Sequence, residues 1–137
     1  YKLKLDSNGS NPDVISELLS EGICDYYAID YKAPSLRYSE FCGNSDAGEV
    51  LKTISLLKDR GADFEVRTTV FPQLSKDELI NMAKELPPLA KYVLNIYRVP
   101  EKFEPDKYES VMARPYTKNE LSELAEEIRK YQPNVCV

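Results

Sequence analysis

Residues 26–34 read YYAIDYKAP, and the alternation of their side chains decides how this chain can bury a sheet. The pattern predicts a strand over Asp25 to Tyr31. With a period of two, Tyr27, Ile29 and Tyr31 share one face while Ala28, Asp30 and Lys32 share the other. A strand over Phe64 to Phe71 repeats the division: Phe64, Val66, Thr68 and Val70 oppose Glu65, Arg67 and Thr69. A sheet buried on both sides reads as continuous apolar runs. A face bearing Asp30, Lys32, Glu65 and Arg67 cannot meet a dry layer without partners, because unpaired charge there is too costly. The expected solution is a curved sheet whose outer face packs on helices and whose inner face lines a polar cavity, as in an open piece of a barrel.

Outward from these strands the chain repeats one unit of strand, loop and capped helix. Lys2 to Leu5 alternates charged and apolar residues, then meets the turn formers Asp6-Ser7-Asn8-Gly9. A helix follows from about Pro12 to Ser20. Asn11 can cap it, Pro12 suits its first position, Asp13 suits its positive end, and Gly22 ends it. A second helix starts at the Asp46–Glu49 capping pair, carries Val50, Leu51, Ile54 and Leu57, and stops at Gly61. Ser75 and Glu78 form a capping box for a third, with Leu79, Ile80, Met82, Ala83 and Leu86, ended by Pro87-Pro88. Tyr92 to Tyr97 is the fourth strand. Pro100 to Pro115 reads as a long connection with Tyr108 and Met112 among charges. Thr117 and Glu120 cap a last helix carrying Leu121, Leu124, Ala125, Ile128 and Tyr131, and Asn134 to Val137 reads as a short final strand. Strict alternation implies parallel strands joined by right-handed crossovers. The fold class is α/β: parallel β-α repeats forming an open, TIM-like partial barrel.

Composition narrows the function. A net charge of −5 over 137 residues, with Lys and Glu evenly scattered, argues against nucleic acid as a direct partner. No apolar run approaches the ~20 residues that cross a bilayer, so a soluble cytoplasmic protein is expected. Cys24, Cys42 and Cys136 lie far apart without a CxxC pair and read as reduced structural thiols. The absence of histidine leaves carboxylates, lysine, tyrosine and thiols for any chemistry.

Ligands of parallel α/β folds bind beyond the C-terminal ends of the strands. Polar residues fall there: Asp6 and Ser7 after the first strand, Asp30 and Lys32 at the second, Arg67 and Thr69 along the third, Tyr97 and Arg98 at the fourth. Each also has a structural reading. Asp6 and Ser7 can organise a turn, Asp30 and Lys32 can form an ion pair, and Arg67 can neutralise Glu65.

Four segments in this order, KLDSNGSNPDV (4–14), YYAIDYKAP (26–34), VRTTVFP (66–72) and YVLNIYRVP (92–100), resemble the C-terminal half of radical S-adenosylmethionine (SAM) activating enzymes. The similarity is to activators of glycyl radical enzymes: anaerobic ribonucleoside-triphosphate reductase activating proteins and their pyruvate formate-lyase activating relatives. It covers essentially the whole chain and implies about half of a radical SAM barrel, with residues 1–137 as its C-terminal part and Tyr1 near the family's fourth strand. The CxxxCxxC loop that holds the family's [4Fe-4S] cluster does not occur in this sequence.

The resemblance implies a cofactor site at Asp6, Ser7, Asp30, Lys32, Arg67 and Arg98, no catalytic acid, base or nucleophile, and a monovalent cation held at Asp6 and Asp30. Gln73 stands where the family's glycine is usual, and the histidine of the pyruvate formate-lyase branch is missing near Arg98. The implied reaction of the intact protein is reductive cleavage of SAM to a 5′-deoxyadenosyl radical, which takes a hydrogen atom from a glycine of a partner enzyme. That partner is a glycyl radical enzyme, with anaerobic ribonucleotide reductase the nearer candidate, and the electron comes from a donor such as flavodoxin or ferredoxin. The alternative is a non-catalytic nucleotide-binding or protein-interaction half-barrel. A flavodoxin-like domain is disfavoured by the charges on the inner face.

Overall fold

The computed structural model describes residues 1–137. Its order is β1 (Lys4–Ser7), α1 (Pro12–Glu21), β2 (Tyr26–Asp30), α2 (Tyr38–Cys42), α3 (Ala47–Asp59), β3 (Phe64–Val70), α4 (Lys76–Glu85), β4 (Tyr92–Ile96), α5 (Tyr108–Val111), α6 (Lys118–Ile128) and β5 (Val135–Cys136). The five strands form one sheet in sequence order, every neighbouring pair parallel. The sheet is not closed: β1 and β5 are its two edges. This is the open partial barrel expected from the alternation.

Local signals set the helix ends. Asn11 accepts the Val14 N–H at 3.3 Å, and Gly22 closes α1 in the left-handed conformation. Both capping boxes form. Ser75 Oγ accepts the Glu78 N–H at 3.1 Å while Glu78 takes the Ser75 N–H at 2.8 Å; Thr117 and Glu120 do the same at 3.1 and 2.8 Å. The Asp46–Glu49 pair does not reciprocate. Asp46 caps α3 through the Gly48 N–H at 2.8 Å, but Glu49 turns outward to Lys52 at 2.9 Å.

One core holds the domain together. The outer parity of the sheet (Tyr27, Ile29, Tyr31, Val66, Val70, Tyr92, Leu94) packs on Ile15 of α1, Val50, Ile54 and Leu57 of α3, Leu79 and Met82 of α4, and Leu121, Leu124 and Ile128 of α6. Thr68, also fully buried, donates to the Tyr31 carbonyl at 2.6 Å and lies 2.9 Å from the Tyr92 hydroxyl, so its polar atom is satisfied inside this core.

Three expectations shift. β1 begins at Lys4 rather than Lys2 and runs on through Asp6 and Ser7, because both pair with β2 opposite Ala28 and Ile29. Leu3 is held differently, its N–H donating to Asp25 Oδ2 at 2.7 Å. Residues 105–111, within the segment read as a long connection, and residues 35–42, to which no element was assigned, each hold a 3₁₀ turn and a short helix. Tyr131 lies beyond the end of α6. No helix is long and apolar enough to cross a membrane.

Candidate functional site

The inner face of the sheet is polar because one parity of four strands converges there. Register places Asp6 beside Ala28, Ala28 beside Glu65, Asp30 beside Arg67, and Thr69 beside Asn95. No helix covers these side chains with apolar residues of the core. The charges sort into two tiers.

The lower tier is built on Glu65, whose side chain is only 8% exposed. Lys91 Nζ lies 3.0 Å from its Oε2 and Lys4 Nζ 3.4 Å from its Oε1, and the Tyr26 hydroxyl donates to Oε2 at 3.3 Å. Burial pushes the Glu65 carboxyl up, but the Lys91 and Lys4 ammonium groups outweigh it and hold it below the ordinary carboxylate value. A carboxyl lowered on folding adds stability above its unfolded titration range and loses it as pH falls through the folded value. Glu65→Gln should therefore cost about 1.5–3 kcal/mol at neutral pH, the usual loss for a hydrogen bond to a charged group. The gap to wild type should narrow as pH drops below about 4, where unfolded Glu protonates. Urea midpoints from pH 3 to 7 measure this; a gap constant with pH would refute the assignment.

The upper tier is Asp6, Asp30 and Arg67. Arg67 Nε and Nη2 lie 3.2 and 3.1 Å from Asp30 Oδ1, and its Nη1 lies 3.3 Å from Asp6 Oδ1. The structural readings offered by sequence thus pair differently: Arg67 serves Asp30 and Asp6, and Glu65 is met by lysines. Asp30 and Lys32 form no ion pair.

Lys32 instead lines a cavity of about 160 Å³ at the C-terminal end of β1 and β2, with Asn8, Tyr38, Cys42 and Ser45. Its ammonium is the only charged group in that lining. The backbone carrying it is clamped: the neighbouring Tyr31 hydroxyl donates to Glu85 at 2.5 Å, and Glu85 also takes the Ser35 N–H at 3.2 Å. Burial raises the Cys42 thiol and Lys32 only partly offsets this, so the group is a neutral donor at pH 7. Asn8 accepts the Ser10 N–H through Oδ1 at 3.0 Å, which leaves its amide N–H groups for a ligand. The cavity is therefore rich in donors.

Ser7 and Arg98 sit apart from this cluster. Ser7 Oγ accepts the Gly9 N–H at 3.0 Å and shapes the loop after β1. Arg98 is exposed and lines a second cavity, about 420 Å³, with Asn95, Ile96 and Lys118. A third, about 410 Å³, holds an aromatic row, Phe41, Phe71 and Tyr97, with ring centroids 5.8 and 5.5 Å apart; the sequence reading placed Tyr97 at the strand end and missed the other two. Phe71 and Tyr97 continue the inner parity of β3 and β4, a signal present in the alternation. Phe41 comes from α2 and had none. Gln73, which replaces the usual glycine of the resembled motif, donates to the Ser110 carbonyl at 2.7 Å and ties α5 over this row.

The three cysteines are free, two half-buried and one exposed, and no three His, Cys, Asp or Glu side chains converge as metal ligands. The residues of this chain do not fit an iron-sulfur cluster.

No family model matches the chain. A protein of Methanocaldococcus jannaschii, provisionally named a glycyl-radical enzyme activating enzyme, is 35% identical over 147 aligned positions that take in 100% of this chain. This chain is homologous to part of a glycyl-radical enzyme activating enzyme. It spans 58% of that relative's length. A crystal structure of a domain of pyruvate-formate lyase-activating enzyme from Bacteroides vulgatus superimposes with a TM-score of 0.66, covering 95% of this chain and 76% of that one. At 16% identity that likeness establishes the fold alone. The chain thus has the fold of such a domain, with Asp6, Asp30 and Arg67 gathered on the open inner face.

Proposed function

We propose that residues 1–137 are the C-terminal part of a radical SAM domain and form the cofactor-binding half of a glycyl radical enzyme activase. The observation that carries the reading is Lys32: an ammonium without a protein counter-ion, held in a cavity of donors next to the Asp30 carboxylate. SAM has a carboxylate for the first and ribose hydroxyls for the second. Its donor and acceptor groups match this set.

In this reading Lys32 and Asn8 receive the carboxylate, and Asp30 accepts from the ribose through Oδ2, the oxygen that Arg67 leaves free. Asp6 and Arg67 hold Asp30 in place, Ser7 shapes the adjoining loop, and Arg98 stands at the neighbouring mouth of the sheet. None of these groups transfers a proton. Bound SAM, once reduced by one electron, would supply the hydrogen-abstracting chemistry, and the chain orients it. The target we assign is a glycyl radical enzyme such as anaerobic ribonucleotide reductase, and the electron donor a flavodoxin or ferredoxin.

Calorimetric titration of the chain with SAM tests the site. Asp30→Asn and Lys32→Ala should each weaken binding about 10-fold or more, the usual loss for a charge-assisted hydrogen bond. Lys52→Ala, on the outer surface of α3, should leave it unchanged. Wild-type affinity in both site variants would end this assignment.

A further inference from the structure

The two carboxylates that the family resemblance would place on a monovalent cation already have a cation between them. Arg67 reaches Asp30 Oδ1 with two nitrogens, at 3.1 and 3.2 Å, and Asp6 Oδ1 with a third at 3.3 Å. The sheet dictates this meeting. Arg67 is the register partner of Asp30, and Asp6 lies on the same face one strand further out. The Arg67 side chain is three-quarters buried, and of its two partners Asp30 is the more sheltered and Asp6 the more exposed.

The ion pairs on this face point the same way. Asp6, Asp30 and Glu65 are opposed by Lys4, Arg67 and Lys91, each within 4 Å of at least one of those carboxylates. Three negative charges meet three positive ones. The next charged group along β2 is Lys32, which adds a positive charge. An alkali-metal ion gives up hydration for several oxygen ligands, and what draws it to a carboxylate pair is uncompensated negative charge. The inner face offers none, and the residues present do not fit such an ion.

We infer that the Arg67 guanidinium is the resident counter-ion of Asp6 and Asp30, so that this site needs no monovalent metal ion. Arg67 does for the carboxylate pair what a bound cation would do, with fixed geometry and independently of salt composition. It is a positioning residue. The inference does not depend on the SAM reading, since the ions alone report on it.

Sodium-23 NMR relaxation, recorded while the chain is titrated into NaCl, makes the test. Wild type should show no saturable line broadening and should match Asp30→Asn. Arg67→Met, confirmed as folded by circular dichroism, should gain a saturable component, because two carboxylates are then left uncompensated. Asp30→Asn in the Arg67→Met background should abolish that gain. Saturable broadening by wild type that Asp30→Asn removes would overturn the inference, as would a folded Arg67→Met chain that acquires none. Should Arg67→Met fail to fold, the comparison of wild type with Asp30→Asn decides alone.

Discussion

Replacing Gly9 by alanine should unfold this domain far more readily than the same change at another glycine of the same backbone conformation. Gly9 has φ of +69°, and a Cβ built there meets Ile29 Cγ2 at 2.9 Å and Val50 Cγ1 at 3.2 Å. Both neighbours are fully buried and held by the core, so neither can retreat cheaply. The backbone is pinned as well: the buried Thr53 hydroxyl donates to the Gly9 carbonyl at 2.7 Å. Strain of the left-handed conformation, about 1–2 kcal/mol, adds to an overpacking cost of about 1–3 kcal/mol. The expected loss is about 2–5 kcal/mol, or a fall in Tm of the order of 10 °C. Gly22 has φ of +64° with nothing within 4 Å of its Cβ position, so Gly22→Ala carries the conformational cost only. Equal losses at the two positions in urea titrations would contradict this account. The loop matters to the site, because it sets Asn8 beside the Lys32 cavity.

Gln132→Ala should be similarly damaging, for a polar reason. The side chain of Gln132 belongs to a residue only 1% exposed and makes a hub of hydrogen bonds. Its Oε1 accepts the Leu89 N–H at 3.0 Å, and its Nε2 faces the carbonyls of Ala83, Leu86 and Pro87 at 3.0, 3.3 and 3.0 Å. These groups have no other route to satisfaction: α4 has ended and Pro87-Pro88 bring no N–H. Truncation orphans the buried Leu89 N–H and at least two carbonyls at a cost of about 1–3 kcal/mol for each group left unpaired, so about 3 kcal/mol or more in total. Gln132→Glu keeps the size and the Oε1 acceptor but turns donors into a carboxylate facing carbonyls, and should be at least as destabilising. Thermal melts of the two variants check this. A Gln132→Ala chain within about 0.5 kcal/mol of wild type, the range of ordinary surface changes, would show that the hub is dispensable.

Legibility in the sequence followed the range of the interaction. Asn11, Ser75–Glu78 and Thr117–Glu120 act within one turn of chain, and each caps as its spacing indicated. Asp46–Glu49 had the same spacing and did not reciprocate, because Lys52 three residues on competes for Glu49. Phe71 and Tyr97 were visible as parity, whereas Phe41 and Tyr38 reached their cavities through a short helix whose five residues carry too little periodicity to announce it, and Ser45 through the turn that follows it. Gln132 had no local signal. Its partners lie 43 to 49 residues away.

By itself, then, the amino-acid sequence determined the order of the main strands and helices, the caps of most of those helices, and the polar parity that requires an open sheet with a wet inner face. These follow from period, capping and the cost of burying charge, all written in residues a few positions apart. Only the tertiary structure decided who pairs with whom on that face. Asp30 had Lys32 two residues away and took Arg67 instead, 37 residues on, because parallel register sets β2 against β3 at that position. Neighbours on a strand point the same way and diverge, while partners across a sheet stand side by side. That left Lys32 without a counter-ion at the cavity beyond the strand ends.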